Sequence, residues 1–198
     1  ILQLEHHHLI ASRVYVLRNI YAQVPFEPRL LQDSALDCCQ EAIRLAHRYH
    51  MYTDLAAAFH SRGIIYSQQH RYRRALRCFR ISEHWRERLD VPGELARIRN
   101  GIGYLLCQHE QYVEAHRYFR LALNTVLRIK DFSEITISLY NLAWVYAETC
   151  AHESALLILN CLRDMLRIRG TAYFPFRNLH DVLLLQGLVY MQQRSEER

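Results

Sequence analysis

Four alanines, Ala35, Ala75, Ala115 and Ala155, stand forty residues apart, and no other property of this chain restricts its fold as much. Four positions after each comes a larger residue: Cys39, Phe79, Phe119 and Leu159. Three further on are Ala42, Ser82, Ala122 and Leu162. Twelve positions before three of the alanines lie Gly63, Gly103 and Ala143. Phe59, Arg99 and Leu139 precede those by four, and Tyr66, Leu106 and Tyr146 follow them by three. Several columns at one fixed period mark a supersecondary unit repeated along the chain and stacked on itself.

The spacing of four and three within each column set is helical, and the small residues fall on two successive helices. Gly63 and Ala75 let two backbones approach, while Tyr66 and Phe79 fill the space beside that approach. Each unit therefore reads as a helix, a short turn and a second helix. Gln69-His70, Glu110-Gln111 and Cys150-Ala151 mark the turns within units. Asp90-Val91-Pro92-Gly93, Lys130-Asp131 and Gly170 mark the joins between them. Only 6 Gly and 4 Pro occur in 198 residues, too few for the frequent turns of an all-β chain. The predicted units span 3–50, 51–90, 91–130 and 131–170, and a ninth helix over 176–194 lacks a second helix. The first unit has a widened turn, Val24-Pro25-Phe26-Glu27-Pro28.

The stretch Phe59-His60-Ser61-Arg62-Gly63-Ile64-Ile65-Tyr66, followed by Tyr72, Ala75, Phe79 and Ser82, resembles the tetratricopeptide repeat family. So does Leu139-Tyr140-Asn141-Leu142-Ala143-Trp144-Val145-Tyr146, followed by Ala155. The forty-residue period exceeds that family's usual length of about 34. It is similar to the long-helix variety of MalT-like bacterial regulators and kinesin light chains. The resemblance implies an all-α, right-handed α-α superhelix, as one repeat domain over 1–198 that is a fragment of a larger protein. It implies a protein- or peptide-binding module. The expected setting is the sensory or scaffolding segment of a larger bacterial signalling or transcription-regulatory protein in the cytoplasm. A free-standing adaptor and a self-associating scaffold are the alternatives.

What the resemblance implies about the site is a concave groove lined by first helices. Its candidate residues are Tyr15, His60, Arg97, Asn100, Tyr104, Tyr140 and Trp144. Aromatic groups give contact area at low entropic cost, and Asn and Arg bind backbone or carboxylate. The alternative is that these aromatics pack against adjacent helices. Some family members grip a C-terminal carboxylate with Lys and Asn in these columns; His60, Ile64, Asn100 and Tyr104 stand there instead, so that clamp is missing.

The formal net charge of +5 is almost wholly arginine, with Lys130 the only lysine. Residues 62–99 hold ten arginines against four acids. Arg71, Arg73, Arg74, Arg77 and Arg80 crowd one second helix and face away from its apolar stripe. A solvated face is the first reading, an acidic protein partner the second. Nucleic acid ranks last, since no helix-turn-helix, finger or RNA-binding motif accompanies the arginines.

The ninth helix is apolar around most of its circumference. A terminal helix of a stacked array needs a polar outer face. Either further repeats follow or the helix pairs with another chain, a homodimer through Leu184, Leu185, Leu188 and Met191.

No catalytic pattern is present: no GxSxG, phosphate loop, GxGxxG or HExxH. No enzyme activity, cofactor or metal is expected. His47 and His50 could share a helix face but lack a third ligand, and His6, His7 and His8 carry no site. No apolar run reaches the ~20 residues of a membrane span. The six cysteines form no CxxC pair and read as small buried hydrophobes of a reducing compartment.

Overall fold

The structure, a computed structural model, describes residues 29–169 and 179–196. Tyr15, the first predicted helix and the join that begins at Gly170 lie outside the described residues. Within them are eight α-helices and no strand. They are α1 (Arg29–Arg48), α2 (Tyr52–Gln68), α3 (Tyr72–Arg88), α4 (Pro92–Cys107), α5 (Tyr112–Ile129), α6 (Phe132–Glu148), α7 (His152–Arg169) and α8 (Leu179–Glu196).

The turns repeat more strictly than the columns. A non-glycine residue with positive φ recurs every twenty positions: His50, His70, Asp90, Glu110, Lys130 and Cys150, all between 51° and 58°. Each sits just past a helix end. The residue after it closes a six-to-one hydrogen bond onto the finished helix. The bonds run from Met51 to Ala46, Arg71 to Tyr66, Val91 to Arg86, Gln111 to Leu106, Asp131 to Val126 and Ala151 to Tyr146, at 2.8–3.2 Å. This is the Schellman arrangement, which satisfies carbonyls that a helix end leaves open. Among the described residues, turns within units and joins between units are therefore the same device. The expected four-residue join at Asp90 is shorter than its sequence suggests: Pro92 and Gly93 belong to the first turn of α4. Proline at the first helical position forfeits no hydrogen bond, because that N–H has no partner within the helix.

The chain divides into two compact units, the first ending at Val91 and the second beginning at Pro92. In the first, α2 packs against both α1 and α3. Gly63 is the point of closest approach: a Cβ there would lie 2.6 Å from the Phe79 ring. Ser82 is fully buried and donates to the Ala56 carbonyl at 2.6 Å, tying α3 to α2. Tyr52 and Trp85 stack with centroids 4.4 Å apart across the same pair.

In the second unit each helix packs on the next from α4 to α8, and α4 also meets α6. Gly103 repeats the role of Gly63: its Cβ would lie 2.5 Å from Phe119, itself fully buried. In the following repeat Ala143 and Leu159 share a core cluster with Leu162, Leu166, Val182, Leu185 and Val189. A larger seat is matched there by a smaller plug.

Two expectations are corrected by burial. Leu185 does not belong to a free apolar face; it is 7% exposed and sits in that core cluster. Leu184, Leu188 and Met191 are exposed. The cysteines are not uniformly core: Cys39, Cys78 and Cys107 are buried, but Cys150 and Cys161 are exposed.

Candidate functional site: the α4–α6 ridge

Asp131 caps α6, its side chain accepting from the Glu134 backbone N–H at 3.3 Å, and this fixes where α6 starts against α4. Contacts then follow at three levels up the two helices. At the lower end Arg97 donates from Nε to Glu134 at 2.8 Å and from Nη1 to Glu94 at 2.8 Å. In the middle Asn100 donates to Ser138 Oγ at 3.0 Å, and Asn141 donates to Asn100 Oδ1 at 3.4 Å. At the upper end the Tyr104 and Trp144 rings meet at 5.7 Å, inclined by 40°.

The electrostatics of the lower end disfavour a ligand there. Burial pushes the Glu134 carboxyl above its ordinary range, and the Arg97 hydrogen bond and charge pull it back only in part. Burial opposes the Arg97 charge as well, but Glu134 and Glu94 outweigh it and hold the guanidinium above its ordinary value. A buried carboxylate needs such a partner. Arg97 is thus committed to two acids of its own chain.

The upper end is open. Tyr104 is 43% exposed. Trp144 is half-buried, and its indole Nε1 donates to Glu148 at 2.9 Å one turn on, which fixes the ring's orientation. Tyr140 is half-buried beside the core that α6 shares with α7 and α8. The upper end therefore offers an oriented aromatic shelf with a carboxylate at its edge.

Of the predicted groove residues, the second unit brings together Arg97, Asn100, Tyr104 and Trp144. Asn100 faces inward, however: at 6% exposure it joins α4 to α6 and offers nothing to a ligand. His60 belongs to the first unit, half-buried with its ring 5.7 Å from Phe79. Sequence reasoning missed Glu134, Ser138 and Asn141. Glu134 carried a usable signal, since Glu94 stands forty residues before it.

The arginines of α3 are placed as expected. Arg71, Arg73, Arg74, Arg77 and Arg80 are all exposed. Arg73, Arg77 and Arg80 line a shallow hollow of about 520 Å³ with Leu76, Ile81 and His84. Arg74 has turned instead onto the Tyr66 ring, 5.8 Å from its centre. Among the described residues no group of three or more His, Cys, Asp or Glu could hold a metal ion, and no helix is long and apolar enough to cross a membrane.

The sequence matches no protein-family profile and no curated protein. Solved structures do match. BtubC (BKLC) from P. vanneervenii aligns over 92% of this chain and 82% of its own, at TM-score 0.67 and 15% identity. A putative kinesin light chain of Podosopora anserina, described as nearly identical TPR-like repeats, aligns in a single-substitution form over 97% of this chain and 92% of its own, at TM-score 0.72 and 12% identity. A second structure of those repeats gives TM-score 0.56, with 96% and 97% covered, also at 12% identity.

Proposed function

From a chain whose fold is the all-α tetratricopeptide-like repeat, we propose a module that binds segments of other proteins through the aromatic shelf of Tyr104 and Trp144. The fold supports a protein-interaction scaffold; the shelf is the observation that carries the finer reading. With Arg97 held by Glu94 and Glu134, the ridge has no free cation to grip a carboxylate. It suits an extended or helical segment that lays apolar or aromatic side chains over two adjoining rings, one of them held in place by Glu148, at little entropic cost. Glu148, at the edge, favours a basic or N–H-bearing group on that segment. Our reading of the setting is a sensory or scaffolding part of a larger signalling or regulatory protein in a reducing, cytoplasmic compartment. The arginine face of α3 keeps the order of readings drawn from its residues: a solvated face first, a surface for an acidic partner second.

The test is a peptide array read with the chain carrying Tyr104→Ala and Trp144→Ala together. Captured peptides should be rich in apolar and aromatic residues, and the double variant should lose them while its helicity persists. Unchanged capture by the double variant refutes the shelf as the site.

A further inference from the structure

The upper end of the α4–α6 ridge carries negative charge that the rest of the ridge does not answer. At the lower end two carboxylates, Glu94 and Glu134, share the Arg97 guanidinium at 2.8 Å each. At the upper end stand two more, Glu148 at the close of α6 and Glu110 in the turn after α4. Among the described residues neither is in an ion pair. Their field reaches the Tyr112 hydroxyl at the start of α5. Burial, then the charges of Glu148 and Glu110, hold that hydroxyl above its ordinary value. Burial and then the Glu148 charge do the same to the Cys107 thiol at the end of α4. One carboxylate of α6 thus acts on both helices that flank the Glu110 turn.

The repeat marks the same place. Glu148 stands in a column that holds Gln68 and Gln108 in the two preceding units, and Trp144 follows Ile64 and Tyr104. Only in α6, of these three helices, do a large ring and a carboxylate stand one turn apart. One Glu148 oxygen accepts from the indole Nε1 at 2.9 Å, which sets the carboxylate at the rim of the ring rather than over its face. A carboxylate has room for further donors. The Tyr104 ring adjoins at 5.7 Å. A flat cation laid on this shelf meets the negative faces of aromatic rings and a carboxylate at its edge. The residues lie between 104 and 148, with a described helix before and after them in the chain, so the place is not an end of the array.

We propose that this end of the ridge is an arginine-binding site: a guanidinium of the bound protein segment stacks on Trp144 beside Tyr104 and donates to Glu148, with Glu110 adding a second negative charge. The proposal rests on the reading of Tyr104 and Trp144 as the shelf that meets a partner, and it names the residue that the partner must carry. Arginine fits the place better than lysine. Its guanidinium is planar, stacks on aromatic faces and is weakly hydrated, whereas an ammonium is a strongly hydrated point charge. The lower end of the ridge shows the same chemistry completed within the chain, with Arg97 set between two carboxylates. At the upper end the carboxylates and the rings are present and the guanidinium comes from the partner.

The probe is an array of random short peptides, each with one central arginine, printed beside copies in which that residue is lysine or citrulline, an uncharged group of the same shape. The unmodified chain should capture the arginine copies roughly tenfold better than the citrulline copies, as a hydrogen bond to a charged group would give. It should also favour them over the lysine copies. Glu148→Gln should bring arginine and citrulline to parity while peptides are still captured through the rings. Its amide oxygen can accept from the indole as before, so Trp144 emission, read in a Trp85→Phe background, should not move. Glu110→Gln, which holds neither ring, should narrow the preference by itself, and so should rising salt. Equal capture of arginine and citrulline copies by the unmodified chain overturns the proposal. So does an arginine preference that survives Glu148→Gln, and so do lysine copies captured as well as arginine ones. Each of those results leaves the shelf reading standing if Tyr104→Ala with Trp144→Ala still abolishes capture. Capture unchanged by that double variant, or no capture by the unmodified chain, refutes both.

Discussion

Replacing Gly103 with alanine sets two effects of opposite sign against each other, and the geometry decides between them. In the middle of a helix the change from glycine to alanine stabilises by roughly 0.5–1 kcal/mol, by restricting the unfolded chain and improving helix propensity. At Gly103 the new methyl would lie 2.5–2.9 Å from three atoms of the Phe119 ring. Phe119 is fully buried, so the ring cannot swing into solvent. Overpacking of this kind costs about 1–3 kcal/mol. The expected result is a net loss of about 1–2 kcal/mol for Gly103→Ala. Gly187→Ala has only the favourable effect, a gain of roughly 0.5–1 kcal/mol. The two substitutions, chemically identical and both in α-helices of the second unit, should thus move apart by about 2 kcal/mol. Urea unfolding followed by circular dichroism and by Trp144 fluorescence, in a Trp85→Phe background, measures both. The repeat supplies its own control: Ala143 and Leu159 occupy the corresponding places in the next pair. Gly103→Ala combined with Phe119→Leu should therefore be more stable than the sum of the two single changes by more than about 1 kcal/mol. If Gly103→Ala stabilises as Gly187→Ala does, or the double variant is merely additive, the close approach is not what selects glycine in this column.

The positive-φ turns predict a gain in the opposite sense. Glu110 holds φ at 58°, where a side chain is strained and glycine is not, so Glu110→Gly should raise stability by about 0.5–1 kcal/mol in the same unfolding assay. Burial pushes the Cys39 and Cys107 thiols up to about 12. Because their folded values lie above the unfolded ones, the stability they contribute is complete below pH ~9 and is lost as pH rises toward 12, on the order of a few kcal/mol. Urea midpoints measured from neutral to alkaline pH should fall in that window. At neutral pH a thiol reagent should label Cys150 and Cys161 quickly and reach Cys39 and Cys107 only on unfolding.

The column logic of the sequence reached contacts that depend on axial position, and it failed for those that depend on angle around a helix. The pairings of Gly63 with Phe79 and of Gly103 with Phe119 are set sixteen residues apart by a turn of constant length, so period alone exposes them. Leu184 and Leu185 illustrate the failure. They are neighbours in an apolar run, yet a step of about 100° around the helix puts Leu185 in the core and Leu184 in solvent. When apolar residues occupy nearly the whole circumference, the pattern no longer says which arc is buried. Asn100 fails for a related reason. Its column also holds His60 and Tyr140, which are half-buried, so membership predicted an accessible group. What draws Asn100 inward is the chemistry opposite it, Ser138 and Asn141 on α6, and hydroxyl and amide groups inside a helix leave no periodic trace. The same ridge shows why the shelf was legible and its limits were not. Tyr104 and Trp144 stand out as aromatics at a forty-residue spacing. That Arg97 is consumed by Glu94 and Glu134 follows only from the 2.8 Å contacts on both sides of the guanidinium. Those two contacts turn an arginine expected to bind backbone or carboxylate into a structural tie, and on our proposal they leave the aromatic pair as the part of the ridge that meets a partner.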